Sequence, residues 1–140
     1  MFAMSEHPDR VARRISPDQI QLQVVLGSLL GKAAIVGPPG ERRLRVSERP
    51  PRAGYVQWKY ERLVGLTGEA PHLAEGRFGF ETVAHPLFDD LAGVGRPELL
   101  GLLRPLGLAV WMSDLGRLDL RRDAFLPAQR EQLCEAATPR

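Results

Sequence analysis

A chain of 140 residues, 44% apolar and 26% charged, has the length and composition of one globular domain and not of a disordered tail. Its one cysteine, Cys134, excludes an internal disulfide and a cysteine-based zinc site, and its longest apolar stretches are interrupted well short of the roughly 20 residues that span a bilayer. Net charge is only +2, but residues 1–60 carry +5 and residues 61–140 carry −3, and 17 of the 19 cations are arginine, whose planar fork suits phosphate.

Met1–Ser5 lacks the basic end and apolar run of a secretory signal, so a cytoplasmic protein without a membrane partner is expected. Residues 1–15 hold Arg10, Arg13 and Arg14 without an apolar period and read as a flexible basic arm. Ser16-Pro17-Asp18-Gln19 predicts a helix start, with Ser16 as cap and Gln19 closing a capping box. That helix is expected over 16–32, with Ile20, Val24, Gly27 and Gly31 on one face. Small residues four apart allow a second helix to approach closely.

Lys32–Val36 and Arg42–Ser47 predict two strands around the turn Gly37-Pro38-Pro39-Gly40. In the second, Leu44 and Val46 alternate with Arg43 and Arg45, so the hairpin has one basic face. Gly54–Leu66 is an aromatic-rich helix with Tyr55, Trp58 and Tyr60; the helical spacing and apolar neighbours of Trp58, Tyr60 and, further along the chain, Trp111 point to core packing and not to base stacking. A loop over 68–76 and a third strand over 77–84 follow. His85-Pro86 opens a short helix to Leu91, and 98–103 is another helical piece. Pro105 opens an apolar helix over 105–116, stopped by Gly116. A last strand around Leu118 and Leu120, a closing helix over 128–137 and a tail at 138–140 complete an α+β domain over 16–137, with a sheet expected to be antiparallel.

Familiar catalytic sets are missing. His7, His72 and His85 match no metal spacing, and the last two flank prolines in expected surface loops. No glycine-rich loop leads from a strand into a helix, so nucleotide cradling has no support. Cys134 reads as a buried small apolar residue and Asp89-Asp90 as a helix surface.

Four segments, in order, resemble a known family. Val25-Leu26-Gly27-Ser28-Leu29-Leu30-Gly31-Lys32-Ala33 and Leu108-Ala109-Val110-Trp111-Met112-Ser113-Asp114-Leu115-Gly116 resemble the two signature helices of LAGLIDADG homing endonucleases. Tyr55-Val56-Gln57-Trp58-Lys59-Tyr60-Glu61 is similar to that family's YxxWKYE helix, and Phe80–Pro86 to its F-R-T-x-S-H-P strand end. The resemblance implies two pseudo-symmetric halves, their signature helices crossed tightly and their strands forming a saddle in the DNA major groove. It also implies an acidic residue at the end of each helix, binding the magnesium that drives phosphodiester cleavage. At those two positions this chain carries Lys32 and Leu115. Asp114 stands one residue early, about 100° around the helix. The second half of the saddle is expected to be incomplete, which leaves an edge open to a second copy or another protein.

Three readings follow. The first is a DNA-binding protein descended from such a nuclease, cleavage lost, with Lys32, Arg43, Arg45, Arg77, Arg117, Arg121 and Arg122 facing double-stranded DNA. The second is a scaffold repurposed for a protein partner. The third is a magnesium-dependent endonuclease with a shifted site at Asp114, with Asp119 as a second carboxylate. No small-molecule cofactor is expected, and magnesium only with the third reading.

Overall fold

The structure, a computed structural model, describes residues 16–117. The expected basic arm, the strand around Leu118–Leu120, the closing helix and the residues His7, Asp119, Arg121, Arg122 and Cys134 lie outside the described residues.

Helix α1 (Gln19–Leu30) starts two residues beyond the place the Ser16-Pro17 signal predicts. The capping box forms on Asp18: its carboxylate accepts from the Gln21 amide at 2.7 Å, and the Gln21 side chain accepts from the Asp18 amide at 3.2 Å. A tertiary contact favours this register, because the Gln21 side chain also donates to the Val64 carbonyl at 3.0 Å. The chain continues through β1 (Ala34–Val36), β2 (Arg43–Glu48), a 3-10 turn (Pro50–Arg52) and α2 (Ala53–Arg62). Strands β3 (His72–Ala74) and β4 (Arg77–Glu81) are followed by α3 (Pro86–Ala92), α4 (Arg96–Leu102) and α5 (Pro105–Asp114).

The four strands form one antiparallel sheet in the order β1-β2-β4-β3. Strand β3 lies inside the segment expected to be a loop, and His72 is therefore a strand residue. All three of its residues are exposed, so it has no hydrophobic alternation to betray it. Its turn into β4 places both Glu75 (φ 52°) and Gly76 (φ 77°) in the left-handed region, as a two-residue hairpin requires.

Alternation divides the sheet into two faces. Leu44 and Val46 of β2 and Phe80 of β4 turn inward, where they meet Val24, Val25, Leu26 and Leu30 of α1, Val56 of α2 and Phe88 of α3. Trp58, Tyr60 and Trp111 pack half-buried against this core, as expected. Arg62 and Arg96 cover the rings of Trp58 and Trp111 at 4.6 and 5.3 Å.

His85 is not on the surface. It is buried, and its Nδ1 accepts from the Leu87 amide at 3.0 Å as the N-cap of α3. Asp89 does more than decorate a helix: it accepts from the Gly40 amide at 2.7 Å and so fastens the tip of the β1–β2 hairpin to α3.

The two helices of the signature segments, α1 and α5, approach closely at Gly27, Gly31 and Gly107. A Cβ at Gly27 would meet the Gly107 carbonyl and Val110 of α5, and one at Gly31 would overlap the Asp114 side chain. Buried Gln23 ties α1 both to the end of α4 and to the start of α5. It donates to the Leu102 carbonyl at 3.2 Å and accepts from the Arg104 amide at 2.6 Å, satisfying the backbone between α4 and α5.

Candidate nucleic-acid interface and helix junction

The outer face of the sheet carries the side chains that alternate away from the core. Arg43, Arg45 and Ser47 come from β2, Arg77, Gly79 and Glu81 from β4, and His72 and Ala74 from β3. Together with residues 68–70 they line an open concavity of about 710 Å³. Three predicted contact residues, Arg43, Arg45 and Arg77, are thus brought onto one surface. Glu69, Glu75 and Glu81 line it too, so its fixed charges balance. Arg45 is 56% exposed and pairs with Glu81, directly opposite in the strand register, at 2.9 Å.

Lys32 and Arg117 lie elsewhere. Arg117 is exposed just past α5, and its amide donates to the Met112 carbonyl at 2.9 Å. Lys32 follows α1, and its ammonium lies 3.5 Å from Glu48 Oε1.

The junction where α1 and α5 end is a separate, mostly buried cluster. Asp114 is completely buried. Its Oδ2 accepts from the Lys32 amide at 2.9 Å, while Oδ1 accepts from Tyr55 Oη and Lys59 Nζ, both at 2.7 Å. Lys59 is 2% exposed, so this is an ion pair removed from water. Arg52 closes the end of α5 by donating to the Ser113 carbonyl at 2.6 Å, and it bridges to Glu48 Oε2 at 3.1 Å. It also lies 4.6 Å above the Tyr55 ring.

Electrostatics follow from this burial. Desolvation pushes the Lys59 ammonium below its ordinary pKa, and the Asp114 carboxylate draws it back up. Burial also pushes the Tyr55 phenol far above its ordinary value near 10, and the adjacent Asp114 charge adds to the rise.

A divalent cation needs carboxylate oxygens free to face it. The two positions that the resemblance marks as acidic hold Lys32, an ammonium, and Leu115, an apolar side chain 48% exposed. Asp114 already holds an ammonium at 2.7 Å. This donor set does not fit the metal. Among the described residues no three His, Cys, Asp or Glu side chains gather as a metal-binding group.

Sequence reasoning gave no role at this junction to Glu48, Arg52, Tyr55 or Lys59. One signal was present: Tyr55 and Lys59 are four apart, so they share a helix face.

The described fold aligns with the solved structure of the homing endonuclease I-WcaI bound to its DNA recognition sequence, at a TM-score of 0.62 and 18% identity. The alignment covers 74% of this chain and 54% of that one. The fold is that of a homing endonuclease. No protein-family model matches the sequence. Among curated proteins, the chain is 31% identical over 130 residues to Protein RecA of Mycolicibacterium chitae, covering 84% of this chain and 29% of that protein. It is 32% identical over 117 residues to Protein RecA of Mycobacterium shimoidei, covering 72% of this chain and 27% of that protein. The chain therefore spans under a third of each curated relative it matches. Among the described residues no helix is long and apolar enough to cross a membrane.

Proposed function

We propose that this protein binds double-stranded DNA through the outer face of its sheet and does not cleave it. The observation that carries the binding is the grouping of Arg43, Arg45 and Arg77 on one concave face of a homing-endonuclease fold. A two-stranded ribbon fits the major groove, and arginine forks reach both phosphates and base edges there. The structural relative is itself bound to its DNA recognition sequence, which supports DNA as the partner of this fold.

The absence of cleavage rests on the helix junction. With Lys32 and Leu115 at the former acidic positions, Asp114 is the nearest carboxylate on either helix end. To serve a metal it must expel Lys59 and leave that ammonium buried without a partner, which costs about 3–5 kcal/mol. In this reading Asp114 is a clamp joining α1, α2 and α5, and three cations (Lys32, Arg52, Lys59) neutralise Glu48 and Asp114 where the family places metal. The match to under a third of two longer proteins supports descent shared with a unit carried inside a longer chain. The activity of RecA forms no part of the proposal.

The test is fluorescence anisotropy of a labelled mixed-sequence duplex, without metal, at 50 and 200 mM salt. Expected is binding that weakens as salt rises, because each phosphate contact releases a counterion. Three arginines face the groove, so the log–log slope is no steeper than about −3, the value reached if all three met phosphate. No binding at 50 mM refutes the proposal. It turns attention to a protein partner, which a surface of three arginines and three glutamates also suits. Nicking of the duplex on adding magnesium refutes the second half alone.

A further inference from the structure

Two arginines on the outer face share one arrangement. Arg45 directs Nε and Nη2 to the same oxygen of Glu81, each at 2.9 Å. Arg77 directs Nε to the Ser47 hydroxyl and Nη2 to the Ser47 carbonyl, each at 3.1 Å. A guanidinium is a rigid plane with five N–H donors. Its side edge pairs Nε with one Nη, and its end edge pairs the two Nη atoms. In both residues the side edge is occupied by a neighbour across the strand pair. The end edge, with two parallel donors, is the part that remains for a ligand.

Their place in the sheet matters as much. With the strand order β1-β2-β4-β3, both arginines sit on central strands and not on the rims. When a sheet lies in a groove, its centre faces base edges and its borders face the backbones. Between Arg77 and Glu81 on the outer face of β4 stands Gly79, which carries no side chain. Gly79 opposes Ser47 directly, and a Cβ there would come within 2.7 Å of the Ser47 Cβ. A base edge therefore meets no side chain from position 79.

We propose that Arg45 and Arg77 each read a guanine in the major groove, with Glu81 and Ser47 as the positioning residues that aim them. This rests on the DNA-binding reading above. Guanine offers O6 and N7 side by side, the acceptor pair that matches an arginine end edge. A held fork also loses less side-chain freedom on binding than a loose one, so the neighbour's hold favours bidentate recognition over a wandering phosphate contact.

The experiment enriches bound duplexes from a pool with a randomised segment, using the full chain at low salt, and sequences the retained fraction. It is run for wild type, Arg45→Ala, Arg77→Ala, Glu81→Gln and Ser47→Ala, with thermal midpoints measured in parallel. These positions are on the outer face, so the variants are expected to stay folded. Wild type should enrich guanine at two separate positions. Arg45→Ala should lower the preference at one of them about ten- to hundred-fold and Arg77→Ala at the other. Glu81→Gln should weaken only the preference that Arg45 carries, while total duplex affinity holds or rises because an anion has left the groove. Ser47→Ala should act likewise on the Arg77 position, without the rise.

Duplexes retained with no guanine preference would overturn the inference and leave DNA binding intact. So would a uniform loss of affinity in the arginine variants with a salt slope reduced by about one, which marks phosphate contacts. No duplex retained by wild type would overturn both readings together.

Discussion

At the scale of single residues, the most consequential side chain is Asp114, which the sequence offered as a shifted catalytic acid. The structure surrounds it with a phenol, an ammonium and a backbone amide, all within 2.9 Å. Tyr55 must keep its proton in that setting, since a phenolate would face the Asp114 charge out of water. Its folded pKa is raised above the unfolded value near 10, so the stability it contributes is full below pH 10 and falls as pH rises further. Lys59 works in the opposite sense: its pKa is lowered, so in the window between that value and 10.5 stability rises with pH. Above about pH 10.5 the unfolded lysine has also lost its proton and Tyr55 acts alone. We expect unfolding free energy there to drop by about 1.4 kcal/mol per pH unit from this residue. Urea melts between pH 9.5 and 11.5 should show that limb steeper in wild type than in Tyr55→Phe. Parallel limbs would mean that the phenol ionises freely in the fold.

At the scale of elements, the contact between α1 and α5 sets the architecture, and glycine makes it close. A methyl at Gly27 collides with backbone, the Gly107 carbonyl, which cannot swing away. Gly27→Ala should therefore destabilise by about 1–3 kcal/mol through overpacking. A Cβ at Gly101, inside α4, would meet nothing within 4 Å, so Gly101→Ala should stabilise by about 0.5–1 kcal/mol through lost chain entropy. Thermal midpoints moving in opposite directions would verify this placement of the helices, and a neutral Gly27→Ala would refute it.

The same elements show what the sequence made legible. Gly27 and Gly31 were readable as a helix contact because their spacing repeats the helix turn. Arg43 and Arg45 were readable as an outer face because Leu44 and Val46 alternate with them. Strand β3 was hidden, because all three of its residues are exposed and its Glu-Gly turn lacks the usual Asn-Gly or Asp-Gly signal. The junction was hidden for another reason. Glu48, Arg52, Lys59 and Asp114 lie up to 66 positions apart in the chain, and only packing discloses that they meet.

At the scale of the whole molecule, the ends of α1 and α5 bring together the two positions that the family resemblance marks as metal-binding. The amide of Lys32 bonds to Asp114, the residue before Leu115, so positions 32 and 115 flank one junction. Replacing both with aspartate removes the ammonium beside Glu48 and sets two carboxylates at neighbouring helix ends, the donor chemistry that magnesium and calcium accept. Lys32 is half exposed and Leu115 nearly so, and neither is part of the core, so the Lys32→Asp plus Leu115→Asp variant should fold. Titration calorimetry should then show saturable calcium binding. The thermal midpoint should also rise with calcium, since a ligand at 100 times its Kd stabilises the folded state by about 2.7 kcal/mol. A folded double variant with neither heat nor midpoint shift would place the former metal position elsewhere. It would remove the ground for reading Lys32 and Leu115 as its replaced ligands. Gain of both signals would mean that the frame of the metal site persists and that two substitutions account for its loss.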